Sequence, residues 1–178
     1  MALAASAIVD AVASHAMASG LFDRVNMHEP KNAPGSGLTA AIWADTVGPV
    51  PAASGLASTS GRVVLKVRLY TNMMSEPQDA IDPTLLAAVD ILLTAYSGDF
   101  TLGGLVRNVD LLGASGGGGL AAQAGYINVS GQMMRVYDIT IPITCNDLWT
   151  PGPLGGMNNG EDQRPRRWPL RRRIRRVR

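Results

Sequence analysis

Residues 62–70 read RVVLKVRLY. Val63, Leu65, Val67 and Leu69 fall on one phase of a two-residue repeat. Arg62, Val64, Lys66, Arg68 and Tyr70 fall on the other. Alternation this strict predicts a strand with one face in an apolar core and a basic face towards solvent. A strand with a single buried face needs a covering layer, so the patterns on either side decide the fold class.

On the N-terminal side, residues 38–47 alternate in the same way. Leu38, Ala40, Ile42 and Ala44 oppose Thr39, Ala41, Trp43 and Asp45. A Pro/Ala/Ser/Gly-rich loop over 48–61 joins this strand to the next. Residues 29–37 have loop composition, and 22–28 are a short strand candidate. Residues 3–19 predict a helix, with Ala5, Ile8, Val9, Val12 and Ala16 as its apolar stripe and Gly20 where a left-handed cap belongs.

On the C-terminal side, Asp82-Pro83 opens a second helix, with Asp82 as its N-cap. Leu85, Leu86, Val89, Leu93 and Tyr96 form its stripe, and Gly98 ends it. Strands are expected over 105–112, 125–129 and 133–144, the last two joined by a hairpin turn at Ser130-Gly131. The glycine run 113–119 reads as a mobile loop. Met134 and Val136 lie on one phase of the last strand, and Ile139, Ile141 and Ile143 on the other. A bulge near Tyr137–Asp138 would reconcile them. Pro142 calls for a sheet edge or a position free of ladder bonds. Strands grouped between two helices define an α+β fold: a small, mainly antiparallel sheet with two helices packed on one face.

Charge divides the chain. Residues 1–150 hold seven Lys and Arg against twelve Asp and Glu, a net −5. Residues 151–178 hold nine arginines against two acids, a net +7. This gives three parts: a domain over 1–150, a Pro/Gly/Asn-rich linker over 151–163, and an arginine-rich C-terminal extension over 164–178. The extension carries Arg164, Arg166, Arg167, Arg171, Arg172, Arg173, Arg175, Arg176 and Arg178, interleaved with Trp168, Leu170, Ile174 and Val177. Guanidiniums hold phosphates by paired bonds and stay charged, so a nucleic-acid contact is one reading. Docking against a protein through the apolar residues is a second, and a solubilising end is a third. The strand face Arg62, Lys66, Arg68 has two readings, an ordinary solvated face or a contact with a neighbouring subunit or DNA.

The signatures of catalysis do not assemble in the sequence. The 113–119 run lacks the Gly-Lys-Ser/Thr ending of a phosphate loop and joins strand to strand. His15 and His28 have no second histidine or cysteine at metal spacing. The acids are scattered singly, and Cys145 is the sole cysteine, without a local histidine. The sequence therefore predicts a non-enzyme with no catalytic, cofactor or metal residue. One cysteine permits no internal disulfide. With no run of about 18 apolar residues, no membrane partner is expected. Few aromatics and many small aliphatics favour an oligomer.

Several segments carry a family resemblance: SHAMASGLFDRVNMHEPKNAPGSGLTAAIWADTVGPV (14–50), RVVLKVRLYTNMMSEPQDAIDPTLLAAVDILLTAYSGDFTLGG (62–104), RNVDLLG (107–113), AGYINVSGQMMRVYDITIPITCND (124–147) and the closing LW. In texture and order, residues 1–150 resemble the tail terminator proteins of long-tailed, siphovirus-type bacteriophages, in the form common among actinobacterial phages. The resemblance implies a small sandwich of an antiparallel sheet and helices. It implies a structural virion protein: a hexameric ring at the head-proximal end of the tail tube that stops tube polymerisation and joins the tail to head-completion proteins. The implied partners are further copies of the chain, the tail tube protein, head-completion or connector proteins, and DNA in the neck lumen. The implied location is the head–tail junction of the virion, assembled in the host cytoplasm. Loops 29–37, 48–61 and 113–123 are then expected to make axial contacts. No catalytic residue is inherited. The likeness stops after Trp149, so the arginine extension lies outside it.

Overall fold

A computed structural model describes residues 3–51, 54–55 and 57–150. The linker 151–163 and the extension 164–178 lie outside the described residues.

The order is helix α1 (Ala5–Ala18), strands β1 (Arg24–Asn26), β2 (Thr39–Pro49) and β3 (Thr59–Asn72), helix α2 (Ile81–Gly98), then β4 (Asn108–Val109), β5 (Ala121–Val129) and β6 (Gln132–Trp149). One sheet runs β1-β2-β3-β6-β4, and β5 also pairs with β6. Every pairing is antiparallel except β1 on β2. The fold is the expected α+β.

The alternating phase of residues 62–70 behaves as its pattern dictates. Val63, Leu65, Val67 and Leu69 are buried with Ile139, Ile141 and Ile143 of β6 and with Ile8, Val12, Leu85 and Leu92 of the helices. Gly20 has φ +66°, and its N–H bonds the Met17 carbonyl, so it ends α1 in the left-handed region. Ser130 and Gly131 both have positive φ, the primed turn that a two-residue hairpin needs.

Five expectations are corrected. Asp82 does not cap α2. A 3-10 turn, Gln78–Ala80, runs into the helix, Ala80 is the N-cap without a side-chain bond, and Asp82 instead accepts from Arg135 Nε at 2.7 Å. The buried stripe of α2 is Leu85, Ala88, Val89, Leu92 and Tyr96; Leu86, one residue and about 100° round from Leu85, is 57% exposed.

The strand expected over 105–112 shrinks to two residues. Tight turns at 101–106 use the backbone first, with Leu102, Gly103 and Gly104 at positive φ. Meanwhile β5 takes the edge of β6 up to Thr140, which leaves only Ile143 and Thr144 for β4.

No bulge interrupts Tyr137–Asp138, since the registers with β3 and β5 run through without a shift there. The phase changes because β6 buries residues on both faces. Ile139, Ile141 and Ile143 meet the helices, while Met134 and Val136 join Ala41 and Tyr70 in a smaller cluster on the opposite face. The glycine run, finally, is held in place by side chains described below rather than left mobile.

Pro142 lies inside the sheet yet loses no ladder bond. Its carbonyl accepts from the Asp110 N–H, so its nitrogen points to the same side, into the break between β5 and β4. By length and mean hydropathy, Gln78–Gly98 is apolar enough to cross a membrane. In this fold it is the helix whose inner stripe covers the sheet.

Candidate assembly surfaces

The sheet has an open face, turned away from the helices, and the basic residues singled out from sequence lie on it. Register places Arg68 between Ala41 of β2 and Asp138 of β6. Its guanidinium bonds both carboxylate oxygens of Asp138, the second at 2.8 Å, and reaches Glu29 Oε1 at 3.2 Å. It stacks over Trp43 at 5.2 Å and lies 6.0 Å from the Tyr70 ring. The hydrogen bonds that Arg68 donates to Asp138 hold the guanidinium still further from deprotonation, and burial pushes the Tyr70 phenol up. Arg68 is thus the hub of a cluster that ties Glu29, from the loop after β1, to the sheet. Lys66 donates to Thr140 Oγ1 at 2.8 Å.

Arg62 donates to the carbonyls of Gly116 at 2.5 Å and Gly118 at 2.6 Å. From the other side, the Asp110 carboxylate accepts from the N–H groups of Gly113 (2.8 Å), Ala114 (2.9 Å) and Ser115 (2.7 Å). Such an amide cradle is what a phosphate loop offers an anion. Here the chain's own carboxylate fills it. Burial alone would raise the Asp110 carboxyl, but the Ser115, Ala114 and Gly113 amides outweigh it and hold it below the usual range. Ser115 Oγ also lies 3.1 Å from Thr144 Oγ1.

The third surface is the pair of sheet edges. Among the described residues β5 pairs with no strand but β6, and its sequence, AAQAGYINV, holds no charge and no proline. Val129 and Gln132 close the two-residue hairpin as a hydrogen-bonded pair. The N–H groups of Ala122, Ala124, Tyr126 and Asn128 therefore face away from β6. Edge strands are ordinarily guarded by charges, prolines or bulges, and this one has none. At the opposite side, β1 covers β2 only over Thr39–Ala41. The rest of that edge carries a bulge between Ala44 and Thr46, Asp45 and Pro49, so it is guarded.

The remaining chemistry-bearing residues are tied up locally. His15 Nε2 lies 3.1 Å from Asp99 Oδ2 and packs edge-on to Tyr96, fastening α1 to the end of α2. Arg135 bonds Asp82 and the Gly125 carbonyl and sits 4.4 Å over the Tyr126 ring, beside an open cleft of about 400 Å³. Cys145 is buried, and burial pushes its thiol up. Among the described residues, no group of three or more His, Cys, Asp or Glu is placed to hold a metal ion. Arg62, Lys66 and Arg68 share the open face, and each has a hydrogen-bond partner within the chain. The arginines 164–178 and Trp168 lie outside the described residues. Sequence reading missed Asp110, Asp138, Glu29 and the bare β5 edge. Only the lack of charge in 121–129 was visible without the register.

No family model matches the chain, and no curated protein matches it in sequence. Among solved structures it is similar to the PVC sheath/tube terminator of an extracellular contractile injection system in its extended state, at 13% identity and a TM-score of 0.39. The match covers 92% of this chain and 65% of that one. A likeness at this level assigns neither family nor function.

Proposed function

We propose that this chain is a structural assembly protein of a phage-type tail: a terminator whose copies close into a ring, six by the sequence resemblance, at the head-proximal end of the tail tube. The observation that carries the reading is the bare β5 edge. Four outward N–H groups, with their intervening carbonyls, form a template for another strand. The sheet's other open edge, on β1 and β2, is chemically different and lies on the opposite side. A head-to-tail ring joins two unlike surfaces, so the β5 edge docks on a different surface of the next copy, and the ring closes where the rotation between copies divides a full turn. The tail tube protein meets one end of the ring and head-completion proteins the other, through loops 29–37, 48–61 and 113–123. DNA passes through the lumen. The role is to cover a surface rather than to transform a substrate.

Sedimentation of the full chain tests this directly. The expected result is a closed multiple of the 18.7 kDa protomer. Ala124→Pro removes an outward donor but no bond to β6, so it is expected to give a folded monomer. A full chain that stays strictly monomeric at the highest attainable concentration and on tail tubes overturns the reading. An oligomer that Ala124→Pro leaves intact removes β5 from the interface.

A further inference from the structure

The helix layer and the sheet divide the charge unevenly. Residues 3–20 and 76–100, which contain both helices, carry Asp10, Glu76, Asp79, Asp82, Asp90 and Asp99 and no lysine or arginine. All seven lysines and arginines of residues 1–150 lie on strands or loops elsewhere. Asp82 and Asp99 have side-chain partners in Arg135 and His15. Asp10, Asp79 and Asp90 are exposed, and among the described residues no cation pairs with them. On the outer arc of α2, Leu86, 57% exposed, lies one turn before Asp90, and Ile91, 43% exposed, lies about 140° round the helix from Leu86. An outer helix face that is both acidic and apolar suits a partner that is both basic and apolar.

The chain carries such a segment. Leu170, Ile174 and Val177 are spaced i, i+4, i+7, with Arg171, Arg173 and Arg178 flanking them at helical spacing. Residues 151–163 can span at most ~45 Å, against a radius of gyration of ~15 Å for a domain of this size, so the segment reaches either face of its own subunit or of a neighbour. We propose that residues 164–178 dock on the outer face of α2. Leu170, Ile174 and Val177 cover Leu86 and Ile91, and the arginines lie beside Asp79 and Asp90. The extension is then a protein clamp that neutralises the acidic helix layer. The proposal stands whether or not the chain forms a ring.

The test uses the full chain with benzoylphenylalanine in place of Trp168. Irradiation followed by peptide mapping is expected to give cross-links to residues 82–94. The surface double variant Leu86→Ser/Asp90→Lys, checked by an unchanged thermal melt, is expected to cut their yield by about fivefold to tenfold, and added salt to weaken them further. Mixing heavy- and light-isotope chains reports whether the segment comes from the same copy or the next; either origin supports the docking. Cross-links confined to the sheet, or a yield indifferent to the double variant, overturn it. So does an absence of cross-links to α2 together with tail-dependent, salt-sensitive retention of duplex DNA, which assigns the arginines to nucleic acid.

Discussion

Arg62 and Asp110 grip a single glycine-rich turn by its two polarities. The guanidinium takes the carbonyls of Gly116 and Gly118, and the carboxylate takes the amides of Gly113, Ala114 and Ser115. Asp110 is only 3% exposed, so its charge depends on those amides for solvation. Its own backbone joins in: its N–H bonds Pro142, and its carbonyl accepts from Leu120. One acid therefore ties β4, the glycine turn and the start of β5 to β6.

Asp110→Ala should destabilise the fold by roughly 2–4 kcal/mol, because it leaves three amides without their charged acceptor. The carboxyl is held below its ordinary range, so its contribution is fully present above the unfolded value of about 3.9 and fades as pH falls through the folded value. Urea unfolding of the wild type and Asp110→Asn, from about pH 7 down to about pH 3, should show their stability gap closing at the acid end. A gap that stays constant with pH removes the charge from the account.

Gly117 has φ +138°, and a Cβ there would strike the Arg62 guanidinium. Gly117→Ala is therefore expected to cost about 1–3 kcal/mol and to loosen the turn. Gly118→Ala, where an added Cβ meets nothing within 4 Å, should cost much less. Paired thermal melts compare the two, and equal losses would mean that the Arg62 bridge does not hold the turn.

Arg68→Lys keeps the positive charge but not the fork that grips both Asp138 oxygens, nor the guanidinium carbon placed over Trp43. A loss of about 1–3 kcal/mol is expected. In a double-mutant cycle with Asp138→Asn the two losses should be strongly non-additive. Additive losses would show that the pair is no more than two neighbours on a solvated face.

Strand and helix identity was legible wherever one face was buried. Residues 62–70, the α1 stripe, the Gly20 cap and the Ser130-Gly131 turn all follow from period or φ requirement. Reading failed where a second interaction competed with the local signal. Asp82 has the form of a cap but answers to Arg135, fifty-three positions away. The basic alternation of Arg62, Lys66 and Arg68 was legible, but their partners, Gly116, Gly118, Thr140 and Asp138, were not, because only the β3–β6 register and the return of the glycine turn bring them opposite. The short β4 reflects competition for one edge of β6, which no local window contains.

A bulge at Tyr137–Asp138 would have turned Met134 and Val136 towards the helices. Instead the strand runs straight and buries Met134 completely on the other face, against Tyr70 and Ala41. Met134→Ala should then cost about 2–5 kcal/mol, as for a residue of the main core, although no helix covers it. Met133, 48% exposed, should tolerate the same change within about 0.5 kcal/mol. Because Trp43 and Arg68 lean on the same cluster, the Met134→Ala loss should also shift tryptophan emission to the red, where an equally destabilising Leu92→Ala, on the helix side, leaves native-state emission in place. If both variants shift it alike, the open face has no core separate from the helix layer.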